Sequence, residues 1–237
     1  MKKITISLLA LSLLAIVSAC DTNDFEDPEF YGIGDVFVRC IKVGEETHYS
    51  PIFYASANEY LSEVSVESPV AGLPNYELSD YFEGKSVFRL LPEPSTYTST
   101  NIANGIYKFT LTSAKQERLT IQDKLLDSRI EPIVISDFTY TKAGHTFDIS
   151  WNQLENADTY VVKLMTEKDG KVLYISDRIT TTKYQFNDNS KNWTYGVQLN
   201  AGTTYWIGVF GYEFESASTS NGSNINSETV EFKEIVW

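Results

Sequence analysis

Short segments in which apolar and polar residues alternate, separated by Gly, Pro, Asn and Asp, run through this chain from Asp35 onward. A period of two puts successive side chains on opposite faces of a strand, and little of the sequence carries the period of a helix. The chain is therefore expected to be all-β, with strands paired into sandwiches that bury one face of each sheet. In the first half the pattern predicts strands at 35–43, 49–55, 61–67, 85–91, 105–112 and 117–122. Tyr107-Lys108-Phe109-Thr110-Leu111-Thr112 alternates cleanly, and Arg118-Leu119-Thr120-Ile121 repeats it after a break at 113–116 that would close a hairpin. That break lacks glycine, and 114–126 can also be written as a helix; the hairpin is the reading taken.

The first residues set an address. Lys2 and Lys3 precede an apolar run from Ile4 to Val17, and Val17-Ser18-Ala19-Cys20 ends in a cysteine. This is the pattern of a bacterial lipoprotein signal peptide, in which 1–19 are removed and Cys20 accepts lipid; an ordinary cleaved signal with a chance cysteine is the alternative. The apolar run falls short of the roughly 18 residues that a membrane span needs, so anchoring would come from acyl chains such as palmitate, each buried methylene adding about 0.8 kcal/mol. Residues 20–32 then read as a lipidated cysteine and acidic tether, with Asp21, Asp24, Glu26, Asp27 and Glu29 among few apolar side chains. The tract resembles the acidic segment behind the lipidated cysteine of surface-exposed lipoproteins of the Bacteroidota, which implies an outer-membrane, cell-surface location. Asp21 directly after Cys20 resembles instead an inner-membrane retention signal of enterobacterial systems.

The formal net charge is -13, and loss of Lys2 and Lys3 makes it more negative, so the surface repels phosphate backbones and no nucleic acid partner is expected. With 42% hydrophobic and 14% aromatic residues the chain has material for a core, and its length suggests two domains. Cys20 is committed to lipid, which leaves Cys40 alone in the run Val36-Phe37-Val38-Arg39-Cys40-Ile41 and no intramolecular disulfide. A lone cysteine there is more often a small buried hydrophobe than a nucleophile. A pause at Ser128-Arg129-Ile130-Glu131-Pro132 divides an immunoglobulin-like β-sandwich over 33–129 from a second sandwich over 130–237.

In the second region Trp151 ends one strand, Tyr160 and Val162 alternate in the next, and Leu199-Asn200-Ala201-Gly202-Thr203-Thr204-Tyr205 opens a later one. This looks like a fibronectin type III domain, whose second strand carries a buried Trp, third an inward Tyr and Val, and sixth a Leu-x-x-Gly-Thr-x-Tyr corner. Leu199, Gly202 and Tyr205 are then the structural corner: the tyrosine buries its ring while its hydroxyl bonds an upstream backbone group. The family's proline in the corner is Ala201 here, and 180–192 is longer than the family's usual bridge. An extra edge strand is expected at 183–186, a projecting loop at 187–192, and a strand at 193–199.

Signatures of chemistry are few. His48 and His145 fall in different proposed domains, which gives no basis for a zinc site, and neither a Gly-x-Ser-x-Gly elbow nor a phosphate-cradling glycine loop occurs. Glu45 with Glu46, and Glu213 with Glu215, are acid pairs of the kind glycoside hydrolysis uses, but solvated surface acids are the plainer reading. The loop from Asn187 to Asn192 holds oxygens suited to calcium without the glycine and glutamate of an EF-hand, and a polar turn is preferred. The expectation is a non-enzyme with no cofactor and no metal.

Aromatic placement hints at binding. All four tryptophans, Trp151, Trp193, Trp206 and Trp237, lie in the second region. If Tyr205, Ile207 and Val209 point inward, the other face of that strand carries Trp206, Gly208, Phe210, Tyr212 and Phe214, with Val161 and Met165 beside them. The candidate binding surface is thus Trp193, Tyr195, Trp206, Phe210, Tyr212 and Phe214, unless the first domain or the segment 216–226 covers it. Two roles follow: a membrane-anchored structural or protein-binding module, which is preferred, or a glycan-binding module whose exposed aromatics stack on sugar rings. Glycan capture would require at least two of these rings to be open and coplanar.

Overall fold

The computed structural model describes residues 28–81, 84–215 and 224–237. The signal segment, Cys20, most of the acidic tether and 216–223 lie outside the described residues. The first half contains β1 (Gly32–Val43), β2 (Glu46–Ala57), β3 (Leu61–Glu67), the two-residue β4 (Tyr76–Glu77) and β5 (Ser79–Asp80), β6 (Val87–Leu90), β7 (Gly105–Ser113) and β8 (Arg118–Leu125). The second contains β9 (Ile135–Thr141), β10 (Thr146–Trp151), β11 (Thr159–Met165), β12 (Val172–Ile175), β13 (Lys183–Phe186), β14 (Thr204–Phe214) and β15 (Ile225–Val236). Among the described residues the one helical element is a 3-10 turn at Pro94–Thr96. The chain is all-β, as the alternation requires.

In the first half β1-β2-β6-β5 faces β4-β3-β7-β8, the strand order of an immunoglobulin-type sandwich. In the second, β13-β10-β9 faces β12-β11-β14-β15. The two do not follow one another as separate beads. The last strand, β15, pairs in parallel with the first, β1, at Val38↔Ser227, Arg39↔Glu228 and Cys40↔Thr229. This joins one sheet from each half into an 8-stranded sheet in the order β12-β11-β14-β15-β1-β2-β6-β5. A strand at such a seam has neighbours on both faces, which is why Val36-Phe37-Val38-Arg39-Cys40 is buried without a break. One hydrophobic cluster runs through both halves, from Phe53, Tyr107 and Phe109 to Phe147, Trp151, Tyr160 and Phe186.

The connection between the halves is tied down. The backbone N–H groups of Leu126, Ile130, Ile133 and Ile135 donate to the side chains of Asn226, Ser227, Thr229 and Glu231 at 2.9, 2.8, 2.9 and 2.5 Å. Asn226, Ser227 and Thr229 are buried for this reason, satisfying backbone donors of the connection. Cys40 is buried against this region, and desolvation pushes its thiol up to about 12, a packed hydrophobe without thiolate character.

The hairpin between β7 and β8 forms without glycine. Gln116 takes φ +70°, and Ser113 Oγ accepts from the N–H groups of Lys115 and Glu117 at 3.1 and 3.2 Å. At the corner before β14, Gly202 has φ +79° and the Tyr205 hydroxyl accepts from the Asn200 N–H at 3.0 Å. Residues 183–186 form the expected edge strand, β13, paired with β10 from Phe147↔Phe186 to Ser150↔Lys183 at one end of its three-stranded sheet. The strand expected at 193–199 needs correction. Residues 193–199 form no strand: Asn192 at φ +74° and Gly196 at φ +73° break the extended backbone, leaving a single bridge between Tyr174 and Trp193.

Candidate functional site

The outer face of the shared sheet is concave, and strand register decides what lines it. Tyr212 on β14, Glu228 on β15, Arg39 on β1 and Ser50 on β2 lie opposite one another in sequence across the seam. Alternation then puts Phe210, Val230, Phe232, Lys163 and Met165 on the same face, with Phe37, Ile41 and Val43 beyond the seam. Gly208 leaves room for these rings, since a Cβ there would lie 2.8 Å from Phe210 and 3.0 Å from Phe232.

Charges close the centre of the trough. Arg39, 3% exposed, donates through Nε to Glu228 Oε1 at 2.5 Å, and Glu228 is itself 4% exposed. The two terminal nitrogens of Arg39 donate to the Asp169 carboxylate at 2.6 and 2.8 Å in a bidentate pair. Asp169 sits in the turn between β11 and β12 at φ +59°, so this turn of the second half leans over a strand of the first. Arg89 on β6 completes the bridge by donating to the Asp169 carbonyl at 3.0 Å, with its guanidinium 3.3 Å above the Tyr81 ring. Burial alone would lower the Arg39 pKa, but Glu228 and Asp169 outweigh it and hold the group well above its ordinary value. Burial pulls Arg89 and Lys163 down, and pushes the Tyr212 and Tyr97 hydroxyls up.

The bridging turn divides the trough into two cavities that share Arg39, Leu91, Asp169 and Gly170. One, of about 1140 Å³, opens where β1 and β15 cease to pair, with Ile41, Val43, Ile133, Val230 and Phe232 as apolar walls and Lys42, His48, Glu93, Lys168 and Glu231 among its polar ones. The other, of about 310 Å³, lies between Tyr54, Tyr81 and Arg89 on one side and Lys163, Met165, Phe210 and Tyr212 on the other.

This placement changes the aromatic surface expected from the sequence. Phe210 is 2% and Tyr212 8% exposed; they form a small cluster with Met165 and Val230 and are floor rather than docking face. The covering comes from inside the molecule, because the curled sheet brings the first half opposite them. Trp206 is half-buried beneath the Lys168 ammonium at 4.5 Å, and Phe214 beneath Arg178 at 5.0 Å. Trp193 lies elsewhere, edge-on to Tyr174 at 5.1 Å with its Nε1 donating to the Asn187 carbonyl at 3.1 Å. Only Tyr195 of the six is fully open, at 103%. They therefore make no open coplanar platform.

The acid pairs serve structure. Glu213 accepts from Ser227, Ser128 and Asn226 beside the connection. Glu215 stands near a carboxyl pair in which Asp123 accepts from the Val36 N–H at 2.8 Å and Asp35 from the Ile225 N–H at 3.3 Å. Burial first, and mutual repulsion second, raise the Asp35 and Glu215 pKa values; burial also raises Asp123. Glu45 and Glu46 lie near Lys42 and His48 at 3.4 and 3.7 Å on the exposed β1–β2 turn. His145 stacks on Trp237 at 3.9 Å. The 187–192 loop closes on itself, with Asn187 Oδ1 accepting from the Asn189 N–H at 3.0 Å. The groups that organise the trough, Arg39, Glu228, Asp169, Arg89 and Lys163, were missed by the sequence reading. The one available signal was Arg39 itself, a charge inside the apolar run Val36 to Ile41.

No protein-family model matches this chain. No curated protein sequence matches it. Among solved structures it is similar to the BSP domain of a biofilm-associated protein, at 11% identity and a TM-score of 0.28, over 96% of this chain and 54% of that one. The chain thus spans about half the length of that structure. It is also similar to the CD2-binding domain of CD58, lymphocyte function-associated antigen 3, at 11% identity and a TM-score of 0.23, over 86% of this chain and 92% of that one. Likenesses this distant carry no argument, and the sandwich assignment rests on the strand order described above.

Proposed function

We propose that this chain is a non-catalytic, lipid-anchored outer-membrane lipoprotein of the Bacteroidota type that displays a protein-contacting surface outside the cell. Its immunoglobulin-like and fibronectin type III-like halves act as one unit. The second-half identity is supported by the β13-β10-β9 on β12-β11-β14-β15 order and by the Tyr205 corner. The anchor is supported by Val17-Ser18-Ala19-Cys20 and the acidic residues behind it. The observation that carries the contacting role is the large cleft of about 1140 Å³ at the seam, where apolar walls are rimmed by charges of both signs. That mixture suits a polar-rimmed protein interface better than catalysis.

Two measurements test this. Cys20→Ser should release the protein from membranes, and continued membrane association would refute the anchor. A photo-crosslinker at Val43, on the cleft wall, should capture on intact cells a discrete partner that one at Tyr195, more open but remote from the cleft, does not. Capture of the same proteins from both positions would remove the cleft as a contact surface.

A further inference from the structure

Two of the three cations that line the smaller cavity make no ion pair among the described residues. Arg39 is spent, its Nε on Glu228 and its terminal nitrogens on Asp169. Those are also the two carboxylates nearest the centre of the trough, so the partnership consumes both. Lys163 and Arg89 line the same cavity, and among the described residues neither makes an ion pair. The Lys163 ammonium donates to the Tyr212 hydroxyl at 3.0 Å and lies 4.0 Å from the Phe210 ring centroid. An ammonium carries three donors, so two remain for something else. Arg89 gives one N–H to the Asp169 carbonyl and another to the side chain of Tyr81, whose ring centroid lies 3.3 Å from its Cζ, and a guanidinium carries five N–H donors, so part of its fork is left over. The third acid of the lining, Asp35, is turned to the Ile225 N–H and to its neighbour Asp123.

We propose that this cavity is a binding site for a small organic carboxylate, received between the Lys163 ammonium and the Arg89 guanidinium. Its volume of about 310 Å³ is at the lower end of small-ligand pockets, which fits a single ring with one acid group. Met165, Phe210 and Tyr54 supply apolar wall for the ring, and the Asp169 turn bridges the opening and excludes larger chains. Charge adds selectivity. A chain of net charge -13 repels anions over its surface at large, so anion capture has to come from local donors in a desolvated pocket. Burial depresses the Lys163 pKa against the opposing pull of Glu228 and Asp169, and a carboxylate bound at the ammonium would raise it again.

The test is calorimetric titration of the full-length protein with benzoate and with glucuronate, against benzyl alcohol and glucose as neutral counterparts. Saturable binding of at least one acid is expected, with none of its neutral counterpart; which acid binds tells an aromatic ligand from a sugar acid. Lys163→Met and Arg89→Gln should each weaken that binding at least tenfold. Lys163→Met should also melt close to the wild-type temperature, because the unpaired buried charge it removes offsets the lost bond to the Tyr212 hydroxyl and the lost contact with the Phe210 ring. Absence of saturable binding of either acid to the wild type would overturn the proposal, as would unchanged affinity in Lys163→Met. A marked loss of stability in Lys163→Met would also overturn it, since the ammonium would then be serving the fold.

Discussion

Replacing Arg39 by Met measures how firmly the seam couples the two halves. The change keeps the unbranched apolar stem of the side chain and removes the partner of Glu228, which is 4% exposed and bonded to Arg39 Nε at 2.5 Å. An acid left buried without its counter-ion typically costs about 3–5 kcal/mol. The bonds to Asp169, whose side chain is 21% exposed, add less because water can replace them. Against a usual domain stability of about 5–15 kcal/mol this is a large fraction. Arg39→Met with Glu228→Leu removes the stranded charge as well, and replacement of a whole buried pair by apolar groups is typically neutral or stabilising, so most of the loss should be recovered. Urea denaturation followed by tryptophan fluorescence is the informative assay. All four tryptophans lie in the second half and Arg39 in the first. A lower midpoint in the single variant, restored in the double, shows that the pair joins the halves energetically. A tryptophan-reported midpoint unmoved by Arg39→Met, or a double variant as unstable as the single, would refute the reasoning.

Tyr205→Phe removes the acceptor of the Asn200 N–H and should destabilise the second half by about 1–3 kcal/mol, read as a shift in denaturant midpoint; an unchanged midpoint would show that the corner bond contributes nothing. Thr229→Val strands the buried Ile133 N–H and should cost a similar about 1–3 kcal/mol, with hydrogen exchange at Ile133 and Ile130 accelerating before that of β7; uniform acceleration would argue that the connection is not held locally. The Asp35 carboxyl is raised by burial and then by Asp123, so its stabilising contribution is complete below its ordinary value of 3.8 and is lost as pH rises through the raised folded one. Asp35→Asn keeps an acceptor for Ile225 and should therefore flatten the fall in melting temperature between pH 4 and neutrality and leave the protein more stable than wild type at pH 7. A variant with the wild-type pH slope would place the titration elsewhere.

The strands were legible in the sequence because each depends on its own alternation, as Tyr107 to Thr112 shows. The β7–β8 turn was harder, since its φ > 0 position is filled by Gln116 and its bonds come from Ser113, a combination without a short signature. The stretch at 193–199 misled because aromatic and β-branched residues at Trp193, Thr194, Tyr195 and Val197 carry strand propensity, while the breaks at Asn192 and Gly196 lie in the backbone. The site was the least legible part. Asn226-Ser227-Glu228-Thr229 looks like solvated edge in one dimension, and only the pairing of β15 with β1, at opposite ends of the chain, makes it interior. Aromatic counting placed Phe210 and Tyr212 on one face and named the first half as one possible cover, but only the merged sheet shows that this half is what lies opposite them.

The seam also explains why the site belongs to neither half. Taken singly, β1 and β15 would each end a sheet and present unpaired backbone, a hazard that proteins cover or pair away. Pairing them with each other removes both edges at once over Val38–Cys40 and Ser227–Thr229. Because each sheet brings its own twist to the join, the merged sheet is bent, and the turn at Asp169 comes within reach of Arg39 and Arg89 on strands far from it in sequence. The join is short, and its limited length matters as much as its existence. Beyond Cys40 and Thr229 the strands are no longer registered to each other, and the larger cleft opens there. A longer ladder would have sealed the cleft, and none at all would have left Arg39, Glu228 and Asp169 as three separate surface charges. The trough is thus set by how few residues the two sandwiches share.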